Sequence, residues 1–139
     1  MKTIKLPYYK ETVDLHVDEA NLKAVITAKM HEYKAAKGEA ELVEDALDNP
    51  IGSKTLTELA VGKKNIVIVT SDHTRAVPSK ITLPILLRRI REGNPDADIT
   101  ILIATGLHRP TTEEEQRKMF GDTIVDNEKI VANDAFNPE

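Results

Sequence analysis

Residues 65–79 read NIVIVTSDHTRAVPS, and the interpretation of this stretch decides the fold. Ile66, Val67, Ile68 and Val69 form an unbroken apolar run, the pattern of a strand covered on both faces in a parallel sheet. Ser71, Asp72, His73, Thr74 and Arg75 follow at once, at the C-terminal strand end where open α/β sheets place their ligands. Beyond Val77-Pro78-Ser79, the residues Ile81, Leu83, Ile85, Leu86, Leu87 and Ile90 take helical spacing to about Arg91. The polar cluster therefore occupies a loop between a strand and a helix.

Working outward, residues 98–106, DITILIATG, repeat the pattern and deliver Leu107, His108, Arg109 and Pro110. Thr111 or Thr112 then caps a helix whose first turn carries Glu113, Glu114 and Glu115, favourable against the positive end of the helix dipole. Gly93-Asn94-Pro95-Asp96 closes the intervening helix. Within that helix Pro84 is awkward, because it removes a donor and crowds the preceding turn. Strand, crossover helix and parallel strand make a βαβ unit, which brings residues 72–75 near His108.

Toward the N-terminus, Ile4, Leu6, Val13, Leu15 and Val17 alternate with polar residues around Pro7-Tyr8-Tyr9-Lys10, predicting an antiparallel hairpin. Residues 21–37 have fair helical spacing without an evident packing partner. His16 and His31 lack neighbouring carboxylates or metal-ligand spacing and read as structural or solvated. A helix is expected over residues 39–47, and a short one over 54–60 capped by Ser53 and closed by Gly62. Residues 128–132 predict a third, short parallel strand. The fold expected is α/β: a Rossmann-like three-layer domain with a mainly parallel sheet and an N-terminal antiparallel hairpin. Residues 1–139 read as one domain, ending where a further strand or crossover would follow.

Composition narrows the function. The 139 residues carry a formal net charge of −4 and no cysteine. That balance offers nucleic acid no general attraction. Zero cysteines exclude disulfides and thiolate chemistry, and no apolar run suffices for a membrane span. The expected location is the cytoplasm.

The two loops carry the chemistry. Arg75 offers bidentate recognition of carboxylate or phosphate, and loop amides with the following helix N-terminus add an anion site. A local Asp72–Arg75 ion pair beside a capped helix is the structural alternative. His108 can take and give a proton near neutrality, and Gly106 before it permits close approach of the backbone to a ligand. Arg109 holds an anion or neutralises the turn at residues 113–115, the second reading being favoured. No phosphate-cradling glycine loop, zinc framework or serine triad is present.

The strings SDHTRAVPSKITLPILLRRIR (residues 71–91) and ILIATGLHRPTTEEE (residues 101–115) closely resemble the N-terminal domain of the nickel-dependent lactate racemase family. The similarity also takes in LDNPIGSKTLTELAVGKKNIVIVTSDHTR, with Ala76 standing where the family often has proline. The resemblance implies an isomerase that racemises or epimerises 2-hydroxy acids by proton and hydride transfer, using a nickel-pincer nucleotide. It implies that Asp72, His73, Thr74 and Arg75 contact this cofactor, that Arg75 also meets the substrate, and that His108 is one of two acid/base histidines. It places the cofactor-bearing lysine, the nickel-ligating histidine and the second catalytic histidine in a C-terminal domain of the same protein, beyond residue 139. The chain is then expected to be a fragment of a two-domain enzyme, inactive alone and without tightly bound nickel or other metal. Its partners would be a small 2-hydroxy acid and that C-terminal domain, with no nucleic acid or membrane. The competing reading is a non-catalytic nucleotide- or anion-binding module; a third is a structural domain whose polar loops only cap helices.

Overall fold

The computed structural model describes residues 1–137, the side chain of His31 lying outside the description. The chain forms two compact units, Met1–Ala35 and Ala36–Glu139.

In the first unit, strands β1 (Lys2–Tyr8) and β2 (Glu11–Val17) pair as the expected antiparallel hairpin. Its register sets Ile4 opposite Leu15 and Leu6 opposite Val13, so the alternating apolar residues share a face. On the other face Lys5 meets Asp14 at 3.2 Å, and the Thr3 hydroxyl lies 3.0 Å from His16 Nδ1. His16 is thus a cross-strand hydrogen-bonding residue. The helical spacing of residues 21–37 yields only short 3₁₀ turns, Glu19–Asn21 and Lys29–Glu32. Ile26 is 95% exposed and Met30 76% exposed. An isolated helix depends on burying an apolar face, and of the apolar residues with helical spacing here only Leu22 is even partly buried.

The second unit is built on a parallel sheet in the order β3 (Asn65–Ser71), β4 (Asp98–Ala104), β5 (Lys129–Ala132). Helix α3 (Ser79–Gly93) connects β3 to β4, while α4 (Glu113–Phe120) and α5 (Asp122–Asn127) connect β4 to β5. Ile99, Ile101 and Ile103 project from one face of β4 into a core with Leu83, Leu87 and Ile90 of α3, Phe120 and Ile124. Covering this face is the dominant stabilising interaction of the unit. The opposite face differs from the sequence expectation. Val67 is 58% exposed, Val69 65% and Val131 41%, so the helices of this unit cover its sheet on one side only.

Two helices precede the sheet, α1 (Glu39–Asp48) and α2 (Leu56–Ala60). Glu44 of α1 pairs with Arg88 and Arg89 of α3. Helix α2 is capped by Thr55 rather than by Ser53. The Thr55 hydroxyl accepts from the Glu58 amide, and the Glu58 carboxylate accepts from the Thr55 amide at 2.9 Å. This reciprocal box satisfies two otherwise orphaned donors and starts the helix two residues later than predicted. Helices α2 and α3 meet closely. The Thr57 hydroxyl donates to the Arg89 carbonyl at 3.2 Å, and the Asn94 amide donates to the carbonyls of Ala60 at 3.0 Å and Lys63 at 2.6 Å. Pro84 lies inside α3 on its exposed side, forgoing the bond its amide would have made to the carbonyl of Lys80. None of the described helices is long and apolar enough to cross a membrane.

Candidate active site

Strands β3 and β4 pair without offset from Asn65 opposite Asp98 to Ser71 opposite Ala104. Their following loops therefore start level on one rim. Each loop begins with a four-residue turn. The Arg75 amide donates to the Asp72 carbonyl at 3.2 Å, and the His108 amide donates to the Thr105 carbonyl at 3.0 Å. In the second turn Gly106 has φ of +56°, a left-handed conformation that costs a side-chain-bearing residue energy. A Cβ added at Gly106 would meet nothing within 4 Å, so this glycine is required by backbone conformation rather than by crowding. The last residues of the two turns, Arg75 and His108, line one cavity of about 290 Å³ together with Ser71, Asp72, Thr105 and Gly106.

Within it, Asp72 is 2% exposed. Its Oδ1 accepts from the Thr74 amide at 3.0 Å and the Thr74 hydroxyl at 2.6 Å, and its Oδ2 lies 2.6 Å from His108 Nδ1. The Thr74 hydroxyl holds the Asp72 carboxyl far below the usual carboxylate range, reinforced by His108 and the Thr74 amide and opposed by burial. The local Asp72–Arg75 pair considered from the sequence does not form. Arg75 is exposed, and its guanidinium makes no hydrogen bond or ion pair among the described residues.

His73 turns elsewhere. Its Nδ1 is 3.3 Å from the Thr111 hydroxyl and 3.8 Å from Glu115 Oε2. Arg109 grips Glu115 through two hydrogen bonds of 2.9 and 2.7 Å, the neutralising role favoured by the sequence reading. Arg109, followed by the Thr112 amide, lowers the Glu115 carboxyl to about 2 against the effect of burial. Thr112, not Thr111, caps α4. The residues lining the cavity come from the two strand ends and their turns rather than from the first turn of α3. Ser71, part of the polar cluster legible in the sequence, and Thr105, which has no role in that reading, also line the cavity. Thr105 is 1% exposed and donates to the Asn133 carbonyl at 2.6 Å, tying the end of β4 to the residue following β5. Its one signal in the sequence is a position between a strand end and a glycine. Among the described residues no cluster of three or more His, Cys, Asp or Glu is arranged to hold a metal ion.

Comparison with known proteins bears on this geometry. Residues 8–139 match the family described as the lactate racemase N-terminal domain. The chain is 48% identical over 139 residues to the lactate racemase of Thermoanaerobacterium thermosaccharolyticum, covering 100% of this chain and 33% of that protein. It is 53% identical over 131 residues to the lactate racemase of Lactiplantibacillus plantarum, covering 94% and 31% respectively. The solved structure of the lactate racemase apoprotein from T. thermosaccharolyticum matches with a TM-score of 0.87 at 46% sequence identity, over 98% of this chain and 31% of that one. The chain thus spans about a third of the length of the curated relatives it matches. By the extent of the family match and its agreement with the paired strand-end motifs, this chain belongs to the lactate racemase N-terminal domain family.

Proposed function

We propose that this chain supplies the proton-transfer half of an active site that racemises or epimerises 2-hydroxy acids, with lactate the substrate suggested by the names of its relatives. The observation that carries this reading is the shared cavity of Arg75 and His108. An unpaired guanidinium supports bidentate recognition of the substrate carboxylate. The imidazole supports general-base removal of the C2 hydroxyl proton as the C2 hydrogen leaves with its electron pair. The product is a planar 2-keto acid. Return of hydride to its opposite face, with a proton given to oxygen by the second of the two acid/base histidines that the resemblance implies, would give the other configuration.

The resemblance calls for a nickel-pincer nucleotide, and the described residues suit part of that group. Arg75 would hold its anionic portion where the substrate does not engage the guanidinium. Asp72 and Thr74 are already bonded with His108, and His73 faces Thr111 and Glu115. The nickel-ligating histidine is the one that the resemblance assigns to a C-terminal domain of the full-length protein. When bound, the cofactor supplies the acceptor and donor for the C2 hydride. A non-catalytic anion-binding module would make use of Arg75 but would have no need of a buried carboxylate set against His108.

The test is expression of the complete reading frame with the enzymes that make the cofactor, followed by chiral assay of 2-hydroxy acids. His108→Ala is expected to lower kcat by about 10²- to 10⁴-fold. Retained activity in that variant removes His108 from this role.

A further inference from the structure

We infer that Asp72 is a positioning residue, whose buried carboxylate fixes His108 as the Nδ1–H tautomer and leaves Nε2 as the atom that exchanges a proton with the ligand. The inference rests on the reading of His108 as the acid/base group, and it departs from the cofactor-contacting role that the resemblance implies for Asp72 and Thr74.

The groups around His108 Nδ1 decide where the ring carries its hydrogen. Asp72 Oδ2, 2.6 Å from His108 Nδ1, belongs to a carboxylate and can only accept. The other neighbour of Nδ1 is the Thr74 hydroxyl oxygen at 3.4 Å. That hydroxyl has one proton, and its short 2.6 Å contact with Asp72 Oδ1 directs the proton there, so toward His108 it too can only accept. Both neighbours of Nδ1 are acceptors, and the hydrogen of a neutral imidazole must therefore sit on Nδ1. The lone pair is left on Nε2, which has no hydrogen-bond partner among the described residues.

Burial explains why this orientation persists. The Asp72 side chain is 3% exposed while the His108 side chain is 49% exposed, so the inner edge of the ring is anchored and the remainder is left accessible. The anchor is itself fixed, because the Thr74 amide and hydroxyl hold the other carboxylate oxygen. A turn, a buried carboxylate and a ring from the neighbouring loop thus form one hydrogen-bonded unit across the two strand ends. In Ser-His-Asp enzymes the same relationship sets the tautomer of the base, and the isosteric Asp→Asn change lowers kcat about 10⁴-fold with the geometry intact.

The tautomer is measured directly from imidazole ¹⁵N chemical shifts of the full-length apoprotein, labelled at histidine and with His108 assigned by its loss in His108→Gln. The wild-type protein is expected to show His108 protonated at Nδ1 in the neutral ring; protonation at Nε2 overturns the inference without recourse to any variant. Asp72→Asn in the full-length enzyme loaded with nickel-pincer nucleotide is expected to shift His108 toward the Nε2–H form and to lower kcat at least 100-fold, with nickel content and KM little changed. Loss of nickel from Asp72→Asn with the His108 tautomer unaltered overturns the inference in favour of a cofactor contact. A failure of the His108 role itself would be distinguishable, since full activity in His108→Gln contradicts the proposed function whatever tautomer the wild-type ring adopts.

Discussion

Substituting Gly93 by alanine sets two effects of opposite sign against each other. Gly93 is the last residue of α3, and helix propensity alone favours alanine over glycine by about 0.5–1 kcal/mol. Packing opposes this. A Cβ built on Gly93 would lie 2.0 Å from the Thr57 carbonyl oxygen, 2.9 Å from its carbon and 3.2 Å from the Thr57 Cα. The obstacle is backbone, so no rotamer change relieves it. Restoring an ordinary carbon–oxygen contact requires α2 to withdraw by roughly 1.3 Å. Overpacking of this kind costs about 1–3 kcal/mol. The displacement also strains the hydrogen bonds that Thr57 and Asn94 make across the junction, each contributing about 1 kcal/mol. The clash therefore wins, with a net loss of about 3 kcal/mol. At a urea slope of about 2 kcal/mol/M, the unfolding midpoint of the 139-residue chain, followed by far-ultraviolet circular dichroism, should fall by about 1.5 M. Gly38→Ala is the control, because a Cβ there meets nothing within 4 Å. It should cost below about 1 kcal/mol through its N-cap position. A Gly93→Ala chain as stable as wild type would refute the packing argument.

Ile101 is 0% exposed at the middle of β4, and Ile101→Ala should cost about 2–5 kcal/mol in the same urea assay. Gly106→Ala should cost about 1–2 kcal/mol, because the left-handed conformation rather than space is limiting; an unchanged midpoint would contradict this. Glu115 has its folded pKa lowered from 4.5 to about 2, so its stabilising contribution is complete above about pH 4.5 and disappears as the pH falls through about 2. Glu115→Gln should accordingly narrow the stability gap between wild type and variant as acid is added, read from urea midpoints at neutral and acidic pH. The purified 139-residue chain should neither retain nickel through dialysis nor interconvert lactate enantiomers, and turnover by that preparation would contradict its assignment as one part of a site.

The parallel sheet was legible because its strands are apolar runs that stop abruptly at polar loops. Asn65–Ser71 and Asp98–Ala104 show this well. Helix starts were less secure where two capping residues lay close together: Ser53 and Thr55 both qualify, and the Glu three positions after Thr55 decides between them. The apolar residues of 21–37 have helical spacing, but spacing does not reveal whether a surface exists to receive it. At the site, sequence separation misled in one respect. Asp72 and Arg75 are near neighbours in the chain and invited a local pair, whereas the partner of Asp72 is His108, 36 positions away. That contact follows from strand register, which no local pattern states. The orientation of His73 toward Glu115 is hidden for the same reason.

The level ends of β3 and β4 have an evolutionary corollary. Arg75 and His108 each stand four residues after their strand's last residue, Ser71 or Ala104, so their spacing in space is governed by strand pairing and not by the thirty-odd residues of chain between them. Length changes at the far end of the crossover, near Pro95 and Asp96, should be tolerated, since lengthening a surface loop costs little entropy. A single-residue insertion within either strand would instead turn its later side chains to the other face and carry one loop out of step with its neighbour. Diversification of this scaffold is therefore expected at the end of the sheet away from the cavity, with the lengths of β3 and β4 held constant.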